Sequence, residues 1–301
     1  MWEGEKMKTE EEKQYRKAIG QYPHINIFLG RNEILSIERL YSIWRKENLL
    51  LKVNCYGGKY VFKQINGADK MLEAEKMKEF KQAYPEITPE IRISENNAYL
   101  MEFIDGQSFF EIPRKEKIGR MLICGAILNR TYQNSHHKAG DISGHVKKSF
   151  EKYRKKAAAY FSDSELQLQD FSIFKSVPSQ TSHNDLNAAN LLFDKGIKLI
   201  DASKEEFNDV ARDVGRYCAS TFFNNYDYFG NDKKQSLDIA STFLSSFDES
   251  TLERARYFIG ESFLSFINFD TKTTPKETLK KLAINILTKK QPIIKSLEEC
   301  I

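Results

Sequence analysis

The segment that most constrains this chain runs from His183 to Asn190 and leads into two short apolar runs. The runs cover residues 191–193 and 197–200, a turn separates them, and Asp201 follows the second run. Two short apolar runs around a turn predict a β-hairpin. Because hairpin strands are antiparallel, the start of the first strand lies beside the end of the second. The pattern therefore predicts that Asn190 and Asp201 lie at one end of the hairpin, a few ångströms apart.

These side chains have the chemistry that phosphoryl transfer requires. Such a reaction needs one carboxylate to take a hydroxyl proton, and further oxygen ligands for the Mg²⁺ that bridges the nucleotide phosphates. Asp185 can face the acceptor hydroxyl, while Asn190 and Asp201 face one cation. A few protein ligands together with phosphates complete the octahedral shell that Mg²⁺ prefers. The alternative is a surface loop in which the Asp and Asn side chains only stabilise turns.

Composition and charge exclude several other classes of protein. The chain has 301 residues, of which 41% are hydrophobic and 29% charged, and this predicts a globular protein of one large domain or two lobes. A net charge of +4 is small for this length, so we expect no nucleic-acid partner. Since no run approaches the ~20 apolar residues of a membrane span, we expect no membrane partner either. The charged first 16 residues lack the apolar core of a signal peptide.

The four cysteines lie too far apart in the sequence for a zinc knuckle or a CxxC redox pair: Cys55, Cys124, Cys218 and Cys300. We expect them to be small, partly buried hydrophobic side chains in a reducing compartment. This usage predicts a cytoplasmic protein.

Hydrophobic periodicity predicts an α+β chain with two lobes. Period-two alternation marks five strands, at residues 34–40, 49–56, 59–65, 90–94 and 98–103. A helix at residues 68–83 separates the third strand from the fourth, and Gly57 and Gly58 are predicted to form a two-residue turn. Beyond Gly106 the pattern is mostly helical. We therefore expect an N-terminal tail or helix (residues 1–25), a small antiparallel nucleotide-binding lobe (26–104) and a larger helical lobe with the catalytic loop and acceptor site (105–301).

The first helix of the larger lobe is predicted at residues 114–133. Its core-facing positions are predicted to be Ile118, Met121, Leu122, Ala126 and Leu128.

Lys63 is a candidate phosphate-binding residue. Alternation within the third strand puts it on the same face as Val61 and Ile65. A lysine among apolar neighbours on a strand that faces a cleft can pair with nucleotide phosphates, and it needs a carboxylate to hold it. The following helix offers Glu73 as the first choice and Glu75 as the second. The alternative is that Lys63 is one of many surface lysines.

The sequence resembles the aminoglycoside phosphotransferase and choline kinase superfamily over about residues 35–220. The resemblance rests on six segments, residues 61–63, 72–74, 99–106, 183–190, 200–201 and 209–214. The opening His-Asn-Asp is similar to that of the choline and ethanolamine kinase branch. This resemblance implies a two-lobed, protein-kinase-like fold and the activity of a small-molecule kinase.

The resemblance also implies roles for individual residues. Asp185 would be the catalytic base, and Asn190 and Asp201 would be the Mg²⁺ ligands. Lys63 would hold the nucleotide phosphates, with Glu73 as its partner.

Further implied roles are binding of the purine and support of the loop. Main-chain groups of Glu102, Phe103 and Ile104 would bind the purine of ATP or GTP. Asp213 would brace the catalytic loop through hydrogen bonds, and His183 would orient it.

Two departures from the family pattern concern the phosphates and the acceptor. Residues 41–48 contain no glycine where many members have a glycine-containing loop, so Ser42 or backbone amides would have to cover the phosphates. Ala202 and Ser203 follow Asp201 where the family often has an aromatic residue and an acid. The second departure weakens an assignment to choline kinase itself.

The sequence leaves the acceptor open. A cage for a quaternary ammonium could use the aromatic residues Phe222, Phe223, Tyr226, Tyr228, Phe229, Phe258, Phe263, Phe266 and Phe269. A pocket for a polyamine-like acceptor could use the acids Glu205, Glu206, Asp209, Asp227 and Asp232. A basic run at residues 147–156 could meet an anionic acceptor or partner. For each set, packing in the core or exposure on a solvated face is the simpler explanation.

Together these features predict a monomeric or homodimeric phosphotransferase that depends on Mg²⁺. It would move the γ-phosphate of ATP or GTP to a hydroxyl group of a small-molecule acceptor, such as an amino alcohol, a sugar or an aminoglycoside. A catalytically weak nucleotide-binding module of the same fold is a second possibility, motivated by the glycine-free loop. A protein kinase is a third, although no Asp-Phe-Gly follows the second strand of the hairpin.

Overall fold

The computed structural model describes residues 2–40, 48–66, 72–134, 138–161, 170–203, 209–228, 232–268 and 274–301. The chain forms two compact units, Met1–Asp105 and Gly106–Ile301.

The first unit is an antiparallel sheet with three helices. Helices α1 (Trp2–Ile19) and α2 (Pro23–Arg31) precede the sheet, and α3 (Leu72–Ala83) lies between its third and fourth strands. The strands are β1 (Ile34–Leu40), β2 (Leu49–Cys55), β3 (Gly58–Gln64), β4 (Ile91–Glu95) and β5 (Ala98–Glu102), in the spatial order β1-β2-β3-β5-β4. All five predicted strands are confirmed. The first residues of the predicted helix 68–83 lie outside the described part of the chain.

The N-terminal helices belong to the core of this unit. Ile25 and Leu29 of α2 are buried in one cluster with Leu51 and Phe62 of the sheet. The Tyr22 hydroxyl donates a 2.8 Å hydrogen bond to Asn97 Oδ1, in the β4–β5 turn. The segment before the sheet is therefore packed against it.

The β2–β3 turn differs from the prediction by one residue. Cys55 pairs with Gly58, so the loop residues are Tyr56 and Gly57, and Gly58 opens β3 with a positive φ of 142°. The Tyr56 amide donates a 3.1 Å hydrogen bond to the carbonyl oxygen of Asn32. This contact with the end of α2 fixes the position of the turn. Because Asn32 lies outside the hairpin, the hairpin sequence alone does not predict the contact.

The second unit is mostly helical. Its helices are α4 (Lys117–Gln133), α5 (Ser143–Lys156), α6 (Val210–Tyr228), α7 (Lys233–Leu244), α8 (Glu249–Phe266), α9 (Lys276–Thr288) and α10 (Ile293–Glu298). Its short strands are β6 (Gln107–Ser108), β7 (Lys138–Gly140), β8 (Val177–Ser179), β9 (Leu191–Phe193) and β10 (Ile197–Leu199). They form a three-stranded sheet, in the order β10-β9-β6, and the pair β7-β8.

Two expectations from composition can be compared with the structure. Cys55, Cys124 and Cys218 are buried free thiols, and Cys300 is partly buried, as predicted. In the described ranges, no helix combines the length and apolar composition needed to cross a membrane.

Helix α4 buries a different face from the one predicted. It begins at Lys117, after a 3₁₀ turn, and its buried side chains are Lys117, Met121, Cys124, Leu128 and Tyr132. Of the predicted core positions, Ile118, Leu122 and Ala126 are exposed instead. Ile118 is 38% exposed and Leu122 is 53% exposed.

The buried face differs because Lys117 enters the core, where its Nζ lies 4.1 Å from the centroid of the Phe109 ring. Burial, followed by the charge of Arg114, lowers the pKa of Lys117 to about 8.

Close packing of α6 on α8 depends on a glycine. A Cβ atom at Gly215 would lie 2.6 Å from the carbonyl oxygen of Ala255 and 2.7 Å from Phe258 Cβ. Both contacts are too short, so the two helices would have to separate. We expect Gly215→Ala to lower the free energy of unfolding by about 1–3 kcal/mol, measured by urea denaturation.

The matched control is Gly119→Ala on α4, where an added Cβ meets no atom within 4 Å. This change should be neutral or stabilising by about 0.5–1 kcal/mol, because alanine loses less backbone entropy than glycine in a helix. Equal stability of the two variants would contradict the packing argument.

Candidate active site

Asp213, in the first turn of α6, holds the loop that carries Asp185. Its Oδ2 accepts a 2.7 Å hydrogen bond from the His183 amide and a 2.9 Å bond from the Tyr132 hydroxyl. Its Oδ1 accepts a 2.8 Å bond from the Asn184 amide. Burial raises the pKa of Asp213, while the His183 ring and these hydrogen bonds oppose the rise. One buried carboxylate thus satisfies donors from α4 and from two consecutive loop residues.

The loop has a left-handed turn at Asn184, whose φ is 64°. Asn tolerates this region better than most residues with a Cβ. The Ser182 hydroxyl donates to Asn184 Oδ1 at 2.9 Å, and Asn184 Nδ2 donates to the Ser182 carbonyl oxygen at 3.1 Å. The conformation persists because surrounding hydrogen bonds fix it, as is typical of residues next to a reaction site.

His183 connects the loop to the end of β10. Its ring Nε2 lies 2.8 Å from the carbonyl oxygen of Ile200, and because that oxygen can only accept, Nε2 carries the proton. The Ser203 amide donates a 2.9 Å hydrogen bond to the His183 carbonyl oxygen. The side chain is fully buried, so this geometry suits orientation of the loop rather than proton transfer.

The predicted hairpin is confirmed as β9 and β10. Leu191 pairs with Leu199, and Phe193 pairs with Ile197. The Ile200 amide donates a 2.9 Å hydrogen bond to the carbonyl oxygen of Asn190, which extends the ladder to the residues that flank the hairpin. Asn190 and Asp201 therefore lie at the same end.

Asp201 itself has an unusual backbone, with a φ of 61°. Such a conformation costs about 1–3 kcal/mol in a residue with a Cβ and persists only where the surrounding structure requires it. This strain directly after β10 marks Asp201 as a candidate functional residue.

Asp185 contacts three side chains. Its backbone oxygen accepts a 3.1 Å hydrogen bond from Asn187 Nδ2. Its backbone oxygen also accepts a 2.9 Å hydrogen bond from Asn190 Nδ2, and this nitrogen lies 3.4 Å from Asp185 Oδ2. Its Oδ1 forms a 2.8 Å ion pair with Nη2 of Arg216 on α6. Because Asn190 uses its amide nitrogen here, its Oδ1 remains available as a metal ligand.

Sequence analysis missed Arg216. Burial alone would lower its pKa, but the charges of Asp185, Tyr153 and Glu261 outweigh that effect and raise the pKa above its usual value. A usable signal was present, since Arg216 lies three residues after Asp213 and so shares its face of α6.

The predicted partner of Lys63 is Glu73. Lys63 on β3 is only 3% exposed, and its Nζ lies 2.7 Å from Glu73 Oε1, on α3. The Tyr99 hydroxyl, on the neighbouring strand β5, donates a 2.6 Å hydrogen bond to the same oxygen. Glu75 is exposed. A buried, ion-paired lysine on a strand is the arrangement that the sequence predicted.

The predicted purine-binding residues are the last residue of β5 and the two residues that follow it. The amide of Glu102 donates to the carbonyl oxygen of Glu90 at 2.9 Å, and the amide of Phe103 donates to that of Lys59 at 3.0 Å. Both amides are therefore used in backbone hydrogen bonds of the first unit, so the amide of Ile104 is the remaining candidate for the predicted purine contact. Ser42, the predicted phosphate-covering residue, lies outside the described residues.

The aromatic residues proposed for a cage are mainly core residues where they are described. Phe222, Phe223, Phe258 and Phe263 are buried. The Phe223 and Phe266 rings stack on each other with centroids 5.0 Å apart. Phe229 and Phe269 lie outside the described residues.

The described acids of the proposed acidic pocket hold the fold together instead. Asp209 is buried and pairs with Arg254 at 2.9 Å. Asp227 accepts a 2.7 Å hydrogen bond from the Thr274 amide, and Asp232 caps the N-terminus of α7. Glu205 and Glu206 lie outside the described residues.

Comparison with known proteins shows a likeness in fold. No family model matches the sequence, and no curated protein matches it. A thermostable mutant of the aminoglycoside phosphotransferase APH(4)-Ia, solved with ADP and hygromycin B, is 13% identical with a TM-score of 0.56, over 91% of this chain and 95% of that one. A choline/ethanolamine kinase family protein from Mesorhizobium loti is 13% identical with a TM-score of 0.54, over 96% of this chain and 98% of that one. The likeness confirms the α+β, protein-kinase-like fold class.

Proposed function

We propose that this protein is a phosphotransferase that moves the γ-phosphoryl group of ATP or GTP to a hydroxyl group of a small molecule. The observation that carries the proposal is the loop with Asp185, braced by Asp213 and followed by a hairpin whose end holds Asn190 and Asp201. The fold that the chain shares with solved small-molecule kinases supports it, as does the ADP and hygromycin B bound to one of them.

Asp185 would act as the general base. In this role it takes the proton of the acceptor hydroxyl while the hydroxyl oxygen attacks the γ-phosphorus. The side chain is 34% exposed, so an acceptor can reach it. Asp213 and His183 would keep the loop in shape without touching the substrate.

Asn190 and Asp201 fit a magnesium ion. An amide oxygen and a carboxylate are hard oxygen donors, and they flank one end of a hairpin next to a strained backbone. In the part of the chain that is described, no group of three or more His, Cys, Asp or Glu side chains is arranged to hold a metal. The nucleotide phosphates would therefore complete the shell, and the ion would neutralise their charge.

The Lys63–Glu73 pair of the first unit would serve the nucleotide. Lys63 would bind phosphate oxygens, and Glu73 would hold the lysine in place with help from Tyr99. The amide of Ile104 would donate to the purine.

The test is a turnover assay with Mg²⁺ and either ATP or GTP. Acceptors are amino alcohols, sugars, sugar acids, nucleosides and aminoglycosides, with Asp185→Asn as the blank. Phosphorylation of one class by the natural protein, lost in the variant, is the expected result. Nucleotide binding without turnover would favour a binding module, and absence of nucleotide binding would refute the proposal.

Removing the Asp201 carboxylate should strongly weaken nucleotide binding that depends on Mg²⁺. In Asp201→Ala, one of two protein ligands of the ion is lost, so we expect at least ~10-fold weaker binding of ATP in the presence of Mg²⁺. Isothermal titration calorimetry with and without Mg²⁺ measures this difference.

The control is Asp194→Ala, which removes an exposed carboxylate from the turn of the same hairpin. Its affinity for Mg²⁺-ATP should match that of the natural protein. Unchanged affinity in Asp201→Ala would remove Asp201 from the metal site.

A further inference from the structure

Arg216 presents a positive charge beside the proposed catalytic base. Its Nη2 lies 2.8 Å from Asp185 Oδ1, and the two side chains are 24% and 34% exposed. A ligand can therefore reach both members of the ion pair. An anionic group of a ligand can take the place of the Asp185 carboxylate at Arg216, because it offers the guanidinium the same charge-assisted hydrogen bonds.

Two further cations lie near Tyr153 of α5, a residue that interacts with Arg216. Interaction with Tyr153 is one of the causes that raise the pKa of Arg216. Two exposed lysines lie over the ring of the same tyrosine, with Nζ of Lys152 at 5.5 Å and Nζ of Lys156 at 6.0 Å from its centroid. Tyr153 thus interacts with three positively charged side chains, and one of them, Arg216, contacts Asp185.

Neighbouring acids already have other partners. Glu261, which acts on Arg216 electrostatically, is buried, accepts a 2.9 Å hydrogen bond from Ser149, and lies 3.6 Å from Arg212 Nη1. Glu151 lies 3.1 Å from Arg154 Nη2. Asp185 is therefore the partner that Arg216 can exchange for a ligand.

This charge pattern discriminates between acceptors. A guanidinium forms paired hydrogen bonds with a carboxylate or phosphate, which a point charge cannot match. A cationic acceptor at the same position would be repelled by Arg216. An aminoglycoside or a choline-like amino alcohol is therefore disfavoured here.

We propose that Arg216 is the anion-binding residue of the acceptor site, and that the acceptor is a small hydroxy compound with a carboxylate or phosphate group. The inference rests on the proposed phosphotransferase function. When the anionic group of the acceptor takes Arg216, Asp185 loses its ion pair and faces the hydroxyl. The hydroxyl oxygen then bonds to the γ-phosphorus, the bond from that phosphorus to the β–γ bridging oxygen breaks, the hydroxyl proton passes to Asp185, and the nucleoside diphosphate leaves.

The test compares acceptors that share a carbon skeleton and differ in the charged group that they carry. One series is glycerol, glycerate, glycerol phosphate and serinol, and a second is glucose, gluconate, glucose phosphate and glucosamine. Product formation with Mg²⁺ and ATP gives kcat/KM for each. We expect one anionic member to exceed its neutral and cationic counterparts by about 10-fold or more. Whether the carboxylate or the phosphate is preferred then identifies the anion.

Two variants test whether Arg216 causes the preference for an anionic acceptor. Arg216→Gln should raise the KM of the anionic acceptor by about 10-fold or more and leave the neutral one within ~3-fold, whereas Arg216→Lys should retain part of the preference. A merely structural role would lower turnover of both acceptors alike. The control, Lys147→Gln, removes an exposed charge from α5 and should keep the preference. If Arg216→Gln fails to fold by circular dichroism, Arg216→Lys alone decides.

Binding without nucleotide separates this inference from the proposed function. Glycerate, glycerol phosphate and their sugar counterparts are titrated calorimetrically into the natural protein and into both variants. Saturable anion binding that weakens in Arg216→Gln supports the anion site. If such binding is seen but no acceptor is phosphorylated, the proposed function fails and the anion site stands. Faster turnover of a neutral or cationic member than of its anionic counterpart overturns the inference and leaves the function intact. If the protein shows no turnover and no anion binding, both the inference and the proposed function are overturned.

Discussion

Replacing Asp185 by Asn should lower turnover by about 10²–10⁴-fold and leave the affinity for Mg²⁺-nucleotide nearly unchanged. The asparagine amide has the shape of the carboxylate and can still accept hydrogen bonds from Arg216 and Asn190, but it cannot take a proton. The loop is held by Asp213 through the backbone of His183 and Asn184, so its conformation does not depend on the Asp185 side chain. Steady-state turnover and calorimetric nucleotide binding measure the two quantities separately.

A matched control is Asp194→Asn, the same change at an exposed position in the β9–β10 turn. It should retain full turnover. Full turnover in Asp185→Asn would remove Asp185 from the role of base. A large loss of nucleotide affinity in that variant would instead show that the carboxylate shapes the nucleotide site.

Asp213→Ala is expected to have the largest effect on stability. It leaves three buried donors without their acceptor, namely the amides of His183 and Asn184 and the hydroxyl of Tyr132. At about 1–3 kcal/mol for each of the three unsatisfied groups, the loss is ~3–9 kcal/mol. A protein of ordinary stability has only about 5–15 kcal/mol in total. Urea denaturation monitored by circular dichroism measures the shift.

Two comparisons sharpen this result. Asp213→Asn keeps one side-chain oxygen as an acceptor and should therefore cost less than Asp213→Ala. Asp194→Ala removes an exposed carboxylate and should change stability by less than about 0.5 kcal/mol. An Asp213→Ala variant as stable as the Asp194→Ala control would show that the buried amides find other acceptors.

Features fixed by local patterns were predictable from the sequence. The β9–β10 hairpin follows from two apolar runs around a turn, and its ladder places Asn190 beside Ile200 and hence near Asp201. The Lys63–Glu73 pair follows from strand alternation and from the helix that comes next in the chain. In each case the partners are close in sequence, so few arrangements compete.

Features that depend on distant partners were not predictable. Arg216 pairs with Asp185 across 31 residues. Its spacing from Asp213 places it on the same face of α6, but no local pattern indicates which acid it meets. The buried face of α4 was predicted wrongly because periodicity treats Lys117 as polar, whereas Phe109 covers its ammonium group in the core. The β2–β3 turn shifted by one residue because Asn32, outside the hairpin, holds Tyr56.

The carboxylate of Asp213 receives donors from α4 and from the loop while lying on α6, and this has a consequence for catalysis. None of the three segments can shift alone without leaving a buried N–H or O–H group without an acceptor. The loop is therefore preorganised before any substrate arrives. Because its dipoles are already oriented, little reorganisation energy is needed for charge development at Asp185. The free-energy cost of orienting them is met during folding rather than in each catalytic cycle.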